Sequence, residues 1–249
     1  MREFITLPQD SGAVSCKICP TRYRGRMPLT RIAQYALDLI QPDHVVGLGT
    51  GRAATAFIQA LGQRVRDGLH VRGVPTSEVS AALARQLGIQ LTTLADVPAI
   101  DVTVDGADEV DPQLNLIKGY GGALVREKIV AASSRREVIL VGTEKIVPVL
   151  GTRGRLPVEV VPFGLPLCMR RLGELGCRPT LRQADGRTFV SDNGNYILDC
   201  ALAPIADPDN FESAIRNIPG VVETGLFIGM ADTVLVENGE QVEIRERRR

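Results

Sequence analysis

The sequence predicts an α/β protein, on three observations. Through residue 153, short β-branched runs alternate with amphipathic helical stretches, which implies a parallel sheet covered on both faces. From 154 the order becomes strand, helix, two strands, helix, strand, the split βαβ pattern of a small α+β unit. The final stretch DTVLVENGEQVEIRE sets a turn at Asn238-Gly239 between two strand-like runs, so the chain rejoins the first sheet. The expected architecture is a Rossmann-like parallel sheet flanked by helices over 28–153 plus 228–249. A smaller ferredoxin-like α+β domain covers 154–227, and 1–27 is a poorly ordered leader.

Each element has its own signal. From Pro28, the residues Ile32, Tyr35, Ala36, Leu39 and Ile40 recur at helical spacing, with Pro28 suited to the first turn and Pro42 to the end. HVVGLG reads as a buried strand. RAATAFIQALGQRVRDG is a helix with Ala54, Phe57, Ile58, Leu61 and Val65 on one face. LHVRGVPT, IDVTVDG and EVILVGT are strands, separated by the helices SEVSAALARQLG and ALVREKIVAASS. In the second unit LPVEVVPF is a strand, LPLCMRRLGELG a helix and RPTLRQADGRTFVSDNGNYILDC a pair of strands. PDNFESAIRNIPG is a helix and VVETGLFIG a strand.

Composition narrows the function classes. The 249 residues are 44% apolar and 23% charged, an ordinary globular profile. Lysine plus arginine (29) balances aspartate plus glutamate (29), so no global field draws nucleic acid. No run approaches the roughly 20 apolar residues that span a bilayer, and the first residues lack the apolar core of a secretory signal. The expectation is a cytoplasmic protein with neither nucleic-acid nor membrane partner. Five cysteines, an odd number, fit a reducing compartment. Cys16 and Cys19 form a C-x-x-C, but Cys168, Cys177 and Cys200 are scattered and only His44 and His70 are available. No metal site is expected.

Chemistry concentrates where parallel sheets bind ligands, beyond the carboxyl ends of strands. GLGTG follows one strand: Gly47, Gly49 and Gly51 permit close backbone approach, and the next helix offers free N–H groups to an anion. Arg52 stands where a G-x-G-x-x-G fingerprint needs its last glycine, so the turn suits a small phosphate better than a dinucleotide. DGADEVD follows another strand and packs Asp105, Asp108, Glu109 and Asp111 into seven residues. It lacks the alternation of a calcium loop. Acidic residues there form turns or, at Asp105 and Asp108, accept hydrogen bonds from a polyol and pass protons. Lys118 and the pliable GYGG come next. By position alone Lys118 reads as a solvated surface group, and Glu127 as part of an exposed Arg-Glu-Lys cluster.

Taken together, GLGTG, DGADEVD, KGYGGALVREK, LPVEVVPFG, SDNGNYILD and IPGVVETGLF resemble ribose-5-phosphate isomerase, type A, in that family's order and across residues 28 to 240. The resemblance implies interconversion of ribose 5-phosphate and ribulose 5-phosphate without metal or organic cofactor, by a homodimer or tetramer. It assigns Glu127 as the base moving a proton between C2 and C1. Asp105, Gly106, Ala107 and Asp108 face the sugar, with Asp105 assisting ring opening. Lys118, Gly119, Tyr120 and Gly121 lie near the developing oxyanion, and Lys145 is a further substrate-contacting lysine. Thr50, Gly51, Arg52 and Ala53 take the phosphate turn. The family usually has two hydroxyl residues where this chain has Arg52 and Ala53; arginine either supplies a charged fork instead or points to solvent and leaves phosphate binding weaker. A lysine often found in the first helix is absent, with Arg31 the nearest cation. A sugar-phosphate sensor that lost catalysis, or an isomerase for another sugar phosphate, is the competing reading. Retention of Glu127 and Lys118 argues against the sensor.

Overall fold

The β-branched runs align as expected. In the computed structural model, which describes residues 15–19, 30–239 and 241–247, they build an eight-stranded sheet. Its order is Ser15–Cys19, Gln241–Glu246, Thr233–Asn238, Glu137–Gly142, Val102–Gly106, Val45–Leu48, Arg72–Pro75, Gln90–Leu91. The strands from Thr233–Asn238 to Gln90–Leu91 are parallel neighbours. The two remaining strands add antiparallel at one edge, through the turn expected at Asn238-Gly239. Of the expected leader, Ser15–Cys19 is thus an edge strand carrying Cys16 and Cys19; the rest of 1–27, and Pro28, lie outside the described residues.

Period-two alternation sends successive side chains to opposite faces. Val46, Leu48, Val102, Val104, Val138 and Leu140 pack under helices α1 (Thr30–Leu37) and α2 (Arg52–Arg66), against Ile32, Ala36, Phe57 and Leu61. Helix α3 (Glu78–Gln86) adds Ala84 to that layer. Ile139, Val141, Val234 and Val236 face the other way, toward Ala131 of helix α4 (Leu124–Ala132). Thr103 and Asp105 share a strand with Val102 and Val104, so they too face α4. A carboxylate is thereby sent into the interior.

The chain from Arg155 to Thr224 forms a second, antiparallel sheet, ordered Arg178–Leu181, Tyr196–Ala201, Arg155–Val160, Val221–Thr224. Helices α5 (Leu165–Glu174) and α6 (Pro208–Arg216) cover it, around Val158, Val160, Leu172, Leu198 and Ile215. That order is the ferredoxin-like one. Cys168, Cys177 and Cys200 are buried here as free thiols. Between the sheets, Glu109–Val110, Leu116–Ile117 and Leu226–Phe227 make a small three-stranded sheet. It turns DGADEVD from the expected acidic loop into a hairpin leading back toward Lys118.

Candidate active site

After Val45–Leu48 the chain moves to one side of the sheet, and from Val102–Gly106 onward to the other. The crevice outside these two carboxyl ends is the topological switch point, where open α/β sheets bind ligands. A cleft of about 170 Å³ opens there. Thr50, Gly51, Arg52 and Ala53 line it, as do Gly106, Ala107, Asp108, Lys118, Gly119, Gly121, Glu127 and Lys145. Those were all expected. Asp105 and the Tyr120 side chain are not among the lining groups.

Asp105 lies beneath the cleft, 1% exposed. Its Oδ1 accepts hydrogen bonds from the amides of Thr50 (3.0 Å) and Gly106 (2.7 Å), and its Oδ2 stands 2.9 Å from Lys118 Nζ. Only glycine fits above it: a Cβ on Gly49 would lie 2.2 Å from Oδ1. Asp105 therefore ties both loops together and fixes the lysine. Tyr120 contributes its amide, which donates to Asp108 Oδ2 at 3.0 Å. Its ring turns away under the Arg155 guanidinium, and its hydroxyl donates to Arg155 O.

Lys118 and Glu127 are the main departure from a position-by-position reading. Lys118 is 2% exposed and Glu127 4%. The face of α4 that carries Leu124, Glu127, Val130 and Ala131 is the buried one, so Arg126 and Lys128 leave the cluster on other sides. Lys118 Nζ donates to Gly106 O at 2.5 Å and stands 3.5 Å from Glu127 Oε2. Burial works against its ammonium, but the carboxylates of Asp105, Glu127 and Glu137 outweigh that and hold its pKa above the ordinary lysine value. Burial pushes Glu127 up to about 8; Lys118 opposes the rise, and the charges of Asp105 and Asp108 add to it. Glu127 Oε2 has no hydrogen-bond partner. Asp108 is also raised by burial, against the pull of the Tyr120 amide and of Lys118, Lys145 and Arg155. Lys145 Nζ is 3.8 Å from its Oδ1.

The other two acids of the cluster are structural. Glu109 accepts from the amides of Gly151 (2.7 Å) and Arg153 (2.8 Å); Asp111 Oδ1 accepts from Gln113 and Asn115. Arg31 donates to Gly239 O at 2.8 Å. Arg52, at the first position of α2, is exposed and forms no hydrogen bond or ion pair among the described residues. The Thr50 hydroxyl is committed to Thr76, Ser77 and Ser80. Gly142 and Glu144 also line the cleft and were not anticipated, although they follow the carboxyl end of a parallel strand. Glu137 was missed as well. It is buried on the Asp105 side of the sheet with neither carboxylate oxygen hydrogen-bonded, and burial raises its pKa well above the ordinary value. A glutamate opening an apolar strand gives no sequence signal for that.

Residues 72–241 match the family model described as ribose 5-phosphate isomerase A (phosphoriboisomerase A). The chain belongs to the ribose 5-phosphate isomerase A family. A ribose-5-phosphate isomerase A of Roseiflexus sp. (strain RS-1) is 54% identical over 209 residues, covering 83% of this chain and 90% of the relative. The solved ribose 5-phosphate isomerase A of Methanocaldococcus jannaschii aligns at 40% identity with a TM-score of 0.84, covering 88% of this chain and 97% of that one. A D-ribose-5-phosphate isomerase solved in complex with phospho-erythronic acid aligns at 39% identity and TM-score 0.85, with coverage of 88% and 97%. Family membership thus rests on sequence similarity and on the whole fold.

Proposed function

We propose that this chain interconverts ribose 5-phosphate and ribulose 5-phosphate, with Glu127 as the base that carries a proton between C2 and C1. One observation carries the assignment: a cleft-lining carboxylate, 4% exposed, has one oxygen without a hydrogen bond and a lysine 3.5 Å away. An ordinary glutamate is too weak a base for a C–H beside a carbonyl. Desolvation to about 8 brings Glu127 close to working pH. In the forward direction the C2–H bond breaks, the proton passes to Glu127, and negative charge develops on the enediolate oxygen. Lys118, held charged by Asp105 and itself almost fully removed from solvent, stabilises that charge. Glu127 returns the proton to C1, and one O–H proton moves from the C2 oxygen to the C1 oxygen.

Asp108 lines the cleft and is raised by burial, which suits it to that O–H transfer. Asp105, whose three contacts are filled within the protein, supports Lys118 and the turn. The phosphate is assigned to the first turn of α2, which carries no acidic residue and where the Arg52 guanidinium has no partner among the described residues. Phospho-erythronic acid, bound by the solved relative, carries a phosphate and a carboxylate, as expected for a site that holds a phosphate and stabilises negative charge on the enediolate oxygen. Homo-oligomer assembly and a cytoplasmic location belong to the same proposal; sedimentation reads the first. Among the described residues no helix is long and apolar enough to cross a membrane.

The test is turnover of ribose 5-phosphate by wild type and by Glu127→Gln, with binding followed by calorimetry. The substitution keeps shape and removes the base, so the rate falls about 10²- to 10⁴-fold with binding intact. Wild type that binds the sugar phosphate without isomerising it, or a variant at full rate, overturns the assignment.

A further inference from the structure

The loop Lys118–Gly122 carries Lys118 and runs into the helix that carries Glu127, so its geometry sets the distance between base and cation. A glycine-rich segment does not hold one geometry by itself. Its own bonds are few: Lys118 N donates to Gly225 O (2.9 Å), Tyr120 N to Asp108 (3.0 Å), and Gly122 N to Gly119 O (3.0 Å). The carbonyls of Gly119 and Tyr120 are taken by the side chain that directly follows the Arg178–Leu181 strand of the smaller sheet. Arg182 Nη1 donates to them at 3.0 and 3.3 Å.

Arg182 is itself held. Its Nε and Nη2 form a two-pronged pair with Asp199, at 2.9 and 2.5 Å, and its side chain is 10% exposed. Asp199 sits inside the antiparallel sheet, paired with Pro157 on one side and Thr180 on the other, so the anchor is rigid. A short ribbon, Gln183–Ala184 with Arg187–Thr188, follows Arg182. Phe189 leaves that ribbon and closes its neck by donating its amide to Arg182 O at 2.9 Å. The Phe189 ring presses on the far end of the same loop: a Cβ at Gly122 would lie 2.5 Å from its Cζ. Two adjoining side chains thus grip the loop at both ends.

We propose that Arg182 is a positioning residue that, with Phe189, clamps the glycine loop and keeps Lys118 and Glu127 aligned for proton transfer. The geometry is more specific than a tie between two sheets requires. One ion pair would join them, whereas this guanidinium uses a third nitrogen on the two carbonyls directly after Lys118. Lysine, a point charge, cannot make the fork and reach both carbonyls. The inference rests on the assignment of Lys118 and Glu127 above, which the Glu127→Gln comparison tests separately.

The experiment is steady-state kinetics on ribose 5-phosphate with Arg182→Ala and Arg182→Lys. Loss of alignment by about an ångström lowers kcat by up to about 10²-fold while KM stays near the wild-type value. Guanidinium at concentrations well below denaturing restores part of kcat in Arg182→Ala, and leaves wild type and Glu127→Gln unchanged. Arg182→Lys remains slow. Unchanged kcat in folded Arg182→Ala overturns the proposal. So does a loss that merely follows the unfolded fraction and shows no guanidinium rescue. Should Arg182→Ala not fold, Phe189→Leu carries the test: kcat falls at constant KM, and an unchanged kcat overturns the clamp. A wild type without turnover, or a fully active Glu127→Gln, overturns the underlying assignment instead.

Discussion

Replacing Lys118 by methionine removes the one cation that, among the described residues, lies within ion-pair distance of both Asp105 and Glu127, and keeps most of the side-chain volume. In the structure its ammonium stands 2.9 Å from Asp105 and 3.5 Å from Glu127, all three groups at or below 4% exposure. Three effects follow. Leaving buried carboxylates unpaired costs about 3–5 kcal/mol of stability. Loss of the charge at the enediolate oxygen costs about 10²- to 10³-fold in kcat. The third effect is diagnostic. Lys118 is the main influence lowering the Glu127 pKa, so without it that pKa rises above about 8. In wild type the base is active when ionised, so kcat/KM climbs with pH and levels off above about 8. The assay is kcat/KM between pH 6 and 10 for both proteins, with urea unfolding alongside. The variant's acid limb lies at higher pH than the wild-type limb. A limb at the same or lower pH would refute the electrostatic reasoning, whatever the loss in rate.

Three further outcomes are expected. Arg52→Ala raises KM for ribose 5-phosphate about tenfold, the equivalent of one charge-assisted hydrogen bond, with kcat unchanged and a smaller difference at high salt; an unchanged KM would mean that Arg52 does not touch the phosphate. Gly122→Ala must place a Cβ 2.5 Å from Phe189 at a φ of +87°, so the urea midpoint falls by the equivalent of about 1–3 kcal/mol; an unchanged midpoint contradicts the close approach. Glu127→Gln is more stable than wild type above neutral pH. The folded pKa of about 8 exceeds the ordinary 4.5, so wild type keeps a proton that the unfolded chain releases, and its stability falls as pH rises from 4.5 to 8. Lys118 keeps Asp105 as partner in the variant. The Tm gap between the two proteins therefore widens by about 2–4 °C per kcal/mol between pH 5 and pH 8, and a constant gap would argue against a raised Glu127.

Much of the fold was legible in the sequence because it depends on local periodicity. Val45–Leu48, Val102–Gly106 and Glu137–Gly142 are β-branched runs with no helical spacing, and their helices announce themselves through Phe57, Ile58 and Leu61. The Asn238-Gly239 turn and the strand order of the smaller sheet follow from turn chemistry and element order. The switch point, and so the location of the cleft, follows from the same alternation.

The sequence by itself determined which chemistry-bearing residues exist and that two glycine- and acid-rich turns share one end of a parallel sheet. Only the tertiary structure decided their roles. Four carboxylates within seven residues look equivalent on paper. Packing commits Glu109 and Asp111 to loop amides, drives Asp105 under Gly49, and leaves Asp108 alone of the four to line the cleft. Lys118 and Glu127 have the neighbours of surface residues in the sequence, yet both are buried and face one another. Arg182 and Phe189 lie some sixty residues further along the chain than the loop they hold. The physical reason is common to all of these. Periodicity is written in neighbouring residues, whereas desolvation and charge pairing depend on distances between segments that meet only when the chain is folded.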